Sequence, residues 1–166
     1  MLNLNEFKVI IFDWGDTLMR DFPQYKGPMY YWPEVKLMPG VDKVLDFLYN
    51  KKIPLCIASN AEDSDTNLMK LALKRAGIER YFKYFLSSDD AGFRKPHPEF
   101  FKSIAKYVNV PISDCLMIGN DYHKDIEGAA KTGMKTLFYN FLKEKGDFPL
   151  ANDIFYDYND LLLKLS

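Results

Sequence analysis

Five short apolar runs alternate along the chain with segments of helical periodicity, and this alternation restricts the possible folds more than any other feature. The runs are too short to be helices and are typical of buried strands. They lie at residues 8–12, 55–58, 84–86, 115–118 and 136–139. Strands that alternate with helices predict right-handed crossovers, and therefore a parallel sheet covered on both faces. We expect the fold class α/β, with the three layers of a Rossmann-like fold around a central parallel sheet.

The segments between these runs carry apolar residues three and four positions apart, as on the buried face of an amphipathic helix. We expect helices at residues 41–48, 68–76, 101–108, 126–130 and 159–165. The second of them has its apolar stripe at Leu68, Leu71, Ala72 and Ala76. Gly77 and Gly133 follow two of the helices, where a glycine can end a helix in the left-handed conformation.

Length, charge and cysteine content narrow the class of protein. A chain of 166 residues is enough for one domain, and 48% hydrophobic with 27% charged residues is a globular composition. A net charge of −1 argues against a general nucleic-acid or anionic-membrane binder. The N-terminus lacks the pattern of a secretion signal. Cys56 and Cys115 lie inside apolar runs, which fits a reducing cytosol better than a disulfide scaffold. We expect a cytoplasmic monomer or homodimer.

One irregular stretch interrupts the alternation, a loop of about twenty residues at positions 19–38. It contains Phe22, Tyr25, Tyr30, Tyr31 and Trp32, in a chain that is 16% aromatic. Loops this long are uncommon and are either functional or packed by their own side chains. The rings could form a small lid with a stacking surface for a ligand, or they could cover the sheet edge or a dimer contact.

Polar residues follow four of the predicted strands, at the points where the strands end. These segments are Asp13-Trp14-Gly15-Asp16-Thr17, Ser59-Asn60, the loop that ends at Lys95-Pro96, and Gly119-Asn120-Asp121 with Asp125 beyond it. Each segment taken alone is a common turn or helix cap. In an open parallel sheet, however, ligands bind beyond the carboxyl ends of the strands, so all four segments are expected at one edge. Their carboxylates, hydroxyl and ammonium group predict a site for a phosphate and a divalent cation. Oxygen ligands of this kind suit Mg²⁺, whereas two His and two scattered Cys offer no spacing for zinc.

In this order, the four segments resemble the four motifs of the haloacid dehalogenase (HAD) superfamily, over residues 9–133. The resemblance implies that Asp13 is a nucleophile that forms an aspartyl-phosphate, and that Lys95 holds this nucleophile and the phosphate oxygens together. The phosphate-binding residues that it implies are Ser59, Asn60, Lys95, Trp14 and Thr17. The residues that it implies for Mg²⁺ are Asp13, the backbone carbonyl of Gly15, and Asn120 or Asp121, with Asp125 and Asp16 behind them.

Two positions depart from the usual motifs of this superfamily. Where most members have a second Asp that serves as general acid and base, this chain has Gly15. Positioned acid–base catalysis contributes about 10²–10⁴-fold to a rate, so its loss would matter. Asp16, one residue further along, is a candidate substitute. In the fourth motif, the residue that matches the usual Asp is Asn120, and the carboxylate lies next to it at Asp121.

The chain leaves room for a core sheet with its helices but for no inserted domain, so we expect one domain over residues 1–166 that resembles the branch without a large cap, such as the magnesium-dependent phosphatases. The favoured function is a Mg²⁺-dependent phosphatase for a small phosphorylated metabolite or a phosphoprotein. The alternative, favoured by Gly15, is a weak or inactive relative that binds a phosphorylated ligand or partner. Dehalogenase or phosphonate chemistry is less favoured, because dehalogenases need no Mg²⁺ and the acidic residues Asp121 and Asp125 remain here. A response-regulator receiver is set aside, because it would need its phosphorylated Asp at the position where this chain has Ser59.

Overall fold

A parallel sheet of six strands, in the order β3-β2-β1-β4-β5-β6, forms the centre of the computed structural model, which describes residues 2–166. The strands are β1 (Val9–Phe12), β2 (Leu55–Ser59), β3 (Tyr84–Ser87), β4 (Cys115–Gly119), β5 (Lys135–Tyr139) and β6 (Asp153–Phe155). Every pair of neighbouring strands is parallel. The structure therefore confirms the predicted α/β class, and each of the five apolar runs forms a strand.

The sixth strand is one that the sequence does not predict. It has only three residues, and only Phe155 among them is buried, so it carries no apolar run. It pairs with β5 at the edge of the sheet, from Leu137 opposite Asp153 to Tyr139 opposite Phe155. Just before it, Asn152 Oδ1 accepts a hydrogen bond of 2.9 Å from the Thr136 N–H. Pairing with a neighbour, rather than local periodicity, makes this segment a strand.

Helices cover both faces of the sheet. They are α1 (Val41–Asn50), α2 (Thr66–Arg75), α3 (Ser88–Ala91), α4 (Pro98–Val108), α5 (Gly128–Ala130) and α6 (Tyr158–Leu165). Successive residues of a strand face opposite sides of the sheet, and the two halves of β1 follow this rule. Ile10 and Phe12 pack with α1, α2 and α6, whereas Val9 and Ile11 pack with α4 and α5. These two cores give the three layers of a Rossmann-like fold.

The buried face of α2 differs from the predicted one. The structure buries Met69, Ala72 and Leu73 and leaves Leu71 41% exposed. Of the predicted stripe, Ala72 is buried and Ala76 packs against the core, but Leu71 is on the exposed side. Both stripes have helical spacing, and periodicity alone does not choose between them. The side chain of Asp65 accepts a hydrogen bond from the Leu68 N–H and begins the helix, and contact with the sheet then selects the side that carries Met69.

The fourth predicted helix begins earlier and is wider than expected. A π-helical segment, Tyr122–Glu127, comes first, and α5 adds only three residues to it. Ile126 and Ala129 are buried as predicted. Gly133 follows with φ at +93°, and Gly77 follows α2 with φ at +81°, so both glycines take the left-handed conformation expected of them.

The order of the strands reverses at β1. The chain runs from β1 to β2 and β3 on one side, and then returns to place β4 on the other side of β1. A crevice forms at such a reversal, outside the carboxyl ends of the strands. The residues that follow β1 and β4 therefore lie next to each other, although more than a hundred positions separate them in the chain.

The irregular loop between β1 and α1 is folded against the rest of the domain. Met19 bridges to Leu37 at its two ends. Arg75, at the end of α2, donates hydrogen bonds of 3.0 Å to the carbonyl of Tyr30 and 2.6 Å to that of Trp32. The loop is thus held by its own bridge and by a cation from a neighbouring helix.

Cys56 and Cys115 are both free and buried. Burial raises the pKa of the Cys115 thiol to about 11, so it stays protonated at neutral pH.

No helix within residues 2–166 is long and apolar enough to cross a membrane.

The last helix supports the loop that follows β1. Tyr158, the first residue of α6, is buried, and its hydroxyl donates a hydrogen bond to the backbone carbonyl of Thr17. Burial raises the pKa of the Tyr158 hydroxyl, so the group remains a donor. A residue near the end of the chain therefore fixes the backbone of the first motif.

Removal of this hydroxyl tests its contribution to stability. We expect Tyr158→Phe to lower the free energy of unfolding by about 1–3 kcal/mol, because the Thr17 carbonyl loses a buried donor. Urea denaturation measures the change. Tyr156→Phe alters an exposed tyrosine and should stay within about 0.5 kcal/mol of the parent protein. Equal effects of the two substitutions would contradict this assignment.

Candidate active site

A cleft of about 470 Å³ lies beyond the carboxyl ends of β1, β2 and β4, a volume in the range of small-molecule sites. All four predicted strand-end segments contribute to it. The residues of these segments that line it are Asp13, Trp14, Gly15, Asp16, Ser59, Asn60, Lys95, Asn120 and Asp121. The fold thus brings together most of the residues that the sequence singles out.

A buried ion triad forms the base of the cleft. Lys95 is only 5% exposed, and its Nζ donates hydrogen bonds of 2.7 Å to Asp13 Oδ1 and 2.8 Å to Asp125 Oδ1. A third hydrogen bond, of 3.1 Å, goes to the carbonyl oxygen of Ala58. All three protons of the ammonium group therefore have acceptors. The triad links the residue after β1, the loop after α3 and the π-helical segment after β4, and the Ala58 carbonyl joins it to β2.

Burial and charge act against each other on the protonation of this triad. Burial disfavours the charged ammonium of Lys95, but the carboxylates of Asp125 and Asp13 outweigh burial and raise its pKa. Burial and the charge of Asp13 raise the pKa of Asp125, and Lys95 opposes them. Lys95 remains positive at neutral pH and attracts both carboxylates. Because two carboxylates surround one ammonium group, the triad has no net positive charge, and an anion bound here would need a further cation.

Gly119, the last residue of β4, makes room for the triad. A Cβ atom on Gly119 would lie 2.3 Å from Asp125 Oδ2, so only glycine fits beside this carboxylate. Asp125 Oδ2 also accepts a hydrogen bond of 3.1 Å from the Asp121 N–H. Asp125 therefore lies behind the cleft and does not line it, and its place behind a metal ion stays a prediction.

Asn60 positions the backbone of Lys95. Its Oδ1 accepts a hydrogen bond of 2.7 Å from the Lys95 N–H, and its Nδ2 donates one of 3.2 Å to the Lys95 carbonyl. This pair of bonds attaches the third motif to the end of β2. Ser59 is nearly buried at the cleft wall, and its Oγ donates a hydrogen bond of 3.2 Å to the Asn60 carbonyl.

Thr17 supports Asp13 from below the cleft. It is fully buried, and its Oγ1 donates a hydrogen bond of 3.0 Å to Asp13 Oδ2. Its Oγ1 also accepts a hydrogen bond of 3.1 Å from the Asn120 N–H. The side chain of Thr17 is covered by the residues that it orients and does not line the cleft, and its contact with phosphate stays a prediction.

The side chain of Asn120 faces the oxygens of the first motif. The end of its amide lies 3.0 Å from Asp13 Oδ2 and 3.2 Å from the carbonyl oxygen of Gly15. Turned with its nitrogen toward these oxygens, the amide donates hydrogen bonds to both. Asp121 is used differently: its Oδ1 accepts a hydrogen bond of 2.9 Å from the Lys124 N–H and caps the following helix. Of the two adjacent candidates, Asn120 is the one that contacts Asp13 and Gly15.

Within residues 2–166, no group of three His, Cys, Asp or Glu side chains is arranged to hold a metal ion. A cation in this cleft would therefore need a mixed set of oxygens, from a carboxylate, a backbone carbonyl and an amide. Hard cations such as Mg²⁺ and Ca²⁺ accept such ligands, whereas Zn²⁺ prefers nitrogen and sulfur.

The aromatic loop forms one wall of the cleft, although not with all the predicted residues. Phe22, Tyr25 and Trp32 line the cleft and contact each other, with ring centroids 5.4–6.4 Å apart. Tyr30 and Tyr31 pack on each other outside it, and Tyr31 is 68% exposed. Trp14 is largely buried, and its indole N–H donates to the Met19 sulfur at 3.1 Å.

Three carboxylates that line the cleft, those of Asp21, Glu62 and Asp63, are not among the predicted site residues, and Asp21 is the one that lies beside Gly15. Its backbone N–H donates a hydrogen bond of 2.9 Å to Asp16 Oδ1. Partial burial raises the pKa of the exposed Asp21, as do the nearby charges of Asp16 and Asp13. The sequence gives little indication that Asp21 belongs to the site. It is one acidic residue a few positions beyond the first motif, and only the turn at Asp16 brings it back toward the cleft.

The family model for haloacid dehalogenase-like hydrolases matches residues 19–133, more than half of the chain. The protein therefore belongs to the haloacid dehalogenase-like hydrolases. This confirms the family that the four motifs indicate. Within residues 2–166, the chain forms the α/β core and carries no large cap domain.

Several curated proteins resemble this chain. Glyceraldehyde 3-phosphate phosphatase of Pyrococcus abyssi is 39% identical over 108 residues, which cover 64% of this chain and 43% of the relative. Phosphoglycolate phosphatase of Escherichia coli K12 is 29% identical over 130 residues, which cover 76% of this chain and 50% of the relative. The chain thus spans half or less of the length of these two relatives.

Solved structures agree with the fold. An uncharacterized protein from Listeria monocytogenes serotype 4b has a TM-score of 0.80 at 24% identity, over 95% of this chain and 99% of that one. The HAD-hydrolase YfnB from Bacillus subtilis, bound to magnesium, has a TM-score of 0.77 at 16% identity, over 96% of this chain and 99% of that one. At these identities, the two structures establish the shared fold.

The packing of Gly119 against Asp125 can be tested by a single methyl group. We expect Gly119→Ala to lower the free energy of unfolding by about 1–3 kcal/mol, because the new Cβ overlaps the Asp125 carboxylate that pairs with Lys95. Thermal or urea denaturation measures this. Gly15→Ala is the control, since its Cβ would meet nothing nearer than 3.8 Å, and it should not destabilise the protein. An unchanged stability of Gly119→Ala would show that this contact does not constrain the site.

Proposed function

We propose that the protein is a Mg²⁺-dependent phosphatase that forms a phosphoaspartyl intermediate at Asp13. The observation that carries the proposal is the state of the Asp13 carboxylate: Lys95 holds one oxygen at 2.7 Å and Thr17 holds the other at 3.0 Å, at the base of an open cleft. Such fixation orients a weak nucleophile for attack and needs no reorganisation during the reaction.

The residues of the cleft suggest how the two steps proceed. An oxygen of Asp13 attacks phosphorus, the bond from phosphorus to the leaving oxygen breaks, and water later hydrolyses the acyl phosphate. Lys95 supplies positive charge next to Asp13, which offsets the repulsion between a carboxylate and a phosphoryl group. Ser59 presents a hydroxyl at the wall of the cleft and can turn its Oγ from the Asn60 carbonyl to a phosphoryl oxygen.

The donor set of the cleft fits Mg²⁺. Turned with its oxygen inward, the Asn120 amide would present that oxygen 3.0 Å from Asp13 Oδ2 and 3.2 Å from the Gly15 carbonyl oxygen. Neighbouring ligands of an octahedral Mg²⁺ with bonds of 2.0–2.1 Å lie about 3 Å apart, so these spacings suit the ion. Asp13, Gly15 and Asn120 would hold it, and Asp121 lies close enough in sequence to act through water. When bound, Mg²⁺ would neutralise charge on the phosphoryl oxygens.

The names of the relatives support a small phosphorylated substrate. They include phosphatases for glyceraldehyde 3-phosphate and for phosphoglycolate. The cleft of about 470 Å³ has room for a molecule of that size, and the wall of Phe22, Tyr25 and Trp32 restricts its width. A phosphoprotein could present only a short side chain there. A cytoplasmic location and a monomeric or dimeric state remain sequence-based predictions.

A second function, binding of a phosphorylated ligand with little turnover, is favoured by Gly15 alone. An enzyme without an acid group near the leaving oxygen would still release good leaving groups such as nitrophenolate, and it would fail on alkyl phosphates. A binding protein would turn over neither. Hydrolysis of p-nitrophenyl phosphate therefore separates the two functions.

Replacement of the nucleophile tests the mechanism. We expect Asp13→Asn to reduce Mg²⁺-dependent hydrolysis of p-nitrophenyl phosphate by about 10³-fold or more, because an amide cannot form the covalent intermediate. Chelation of metal with EDTA should abolish the activity of the parent protein. Asp147→Asn, an exposed and distant change of the same kind, should have no effect. Activity that survives in Asp13→Asn would disprove the phosphoaspartyl mechanism.

A further inference from the structure

The space beside Gly15 is occupied by a carboxyl group from elsewhere in the chain. A Cβ atom built on Gly15 would lie 3.8 Å from the Cβ of Asp21 and 3.9 Å from its Oδ2. A side chain at position 15 would therefore extend toward the carboxyl group that Asp21 already presents. The absence of a side chain at position 15 leaves this volume free for Asp21.

The backbone around Asp21 is held in place by hydrogen bonds on both sides. Asp16 has φ at +56°, and this left-handed turn reverses the chain so that the Asp16 N–H donates to the Met19 carbonyl at 2.6 Å. Asp16 Oδ1 accepts a hydrogen bond from the Asp21 N–H. The preceding Arg20 N–H donates to the Lys36 carbonyl at 2.8 Å. Asp16 is thus occupied in positioning Asp21 and is a poor substitute for the missing acid.

Asp21 faces the same cleft as Asp13, Ser59 and Lys95. Asp13 and Lys95 lie at the base of this cleft, whereas Asp21 lies at its mouth, where its side chain is exposed. A phosphoryl group held at the base would direct its leaving group toward the mouth.

We propose that Asp21 is the general acid and base of this active site, in place of the residue missing at position 15. The proposal rests on the phosphatase function given above. As an oxygen of Asp13 bonds to phosphorus, the bond from phosphorus to the leaving oxygen breaks, and the carboxyl proton of Asp21 passes to that oxygen. The Asp21 carboxylate then takes a proton from water, whose oxygen bonds to phosphorus as the bond to Asp13 breaks. Phosphate leaves, and both carboxyl groups return to their starting states.

The test compares two substrates that differ in their need for an acid. Glycerol phosphate has an alkoxide leaving group that must be protonated, whereas p-nitrophenyl phosphate has a stable leaving group. We expect Asp21→Asn to lower kcat/KM for glycerol phosphate by about 10²–10⁴-fold and kcat/KM for p-nitrophenyl phosphate by less than about threefold. The parameter kcat/KM reports the formation of the phosphoaspartate, so the later base role does not obscure the comparison. Asp147→Asn is again the matched control.

Rescue separates a catalytic role of Asp21 from a structural one. Adding Gly15→Asp to Asp21→Asn should restore hydrolysis of glycerol phosphate, because a new carboxylate then enters the same space. Thermal denaturation of each variant checks that it is folded. Equal losses on both substrates in Asp21→Asn, or no loss on either, would overturn the proposal.

The same measurements distinguish failure of this proposal from failure of the proposed function. If the parent protein hydrolyses p-nitrophenyl phosphate through Asp13 but never hydrolyses alkyl phosphates, the phosphatase function stands and the role of Asp21 is wrong. If it hydrolyses neither substrate with Mg²⁺ present, both are wrong. Selective loss on the alkyl substrate, restored by Gly15→Asp, supports both.

Discussion

The interaction on which the rest of the site depends is the buried contact of Lys95 with Asp13 and Asp125. Burial of charged groups costs several kcal/mol for each ion, so such a triad is kept only where every charge has a partner. Here the two carboxylates and the Ala58 carbonyl complete the shell of the ammonium group. The glycine at position 119 follows from it, because a larger residue would displace Asp125.

The triad fixes Asp13 but not Asp21, so the two carboxyl groups proposed to act in catalysis are held in different ways. Asp13 directly follows β1, a central strand that holds it in place, and this suits the nucleophile proposed for it. Asp21, the residue proposed to transfer the proton, lies in a loop. The aromatic wall belongs to the same loop, so under these proposals one segment would both restrict the substrate and transfer the proton.

Some elements of the fold follow from the local sequence pattern, and others depend on contacts between residues far apart in the chain. The first five strands follow from apolar runs because most of their residues are buried. β6, with three residues at one edge of the sheet, carries no such run and forms by pairing with β5. The buried face of α2 is ambiguous for a related reason: its residues allow two stripes, and the sheet selects the one with Met69. The motif gives the position of Thr17 in the chain, but only the structure shows that its side chain is fully buried and donates a hydrogen bond to Asp13.

The sequence by itself determined the parallel α/β class, the family, and the four segments that converge at one edge of the sheet. Strand composition and the order of the motifs are enough for this, because parallel strands bring their carboxyl ends together whatever the details of packing. Only the tertiary structure decided that Asn120 rather than Asp121 contacts Asp13, and that Asp21 fills the space beside Gly15. These contacts depend on a left-handed turn and on side-chain directions, which adjacency in the chain does not specify.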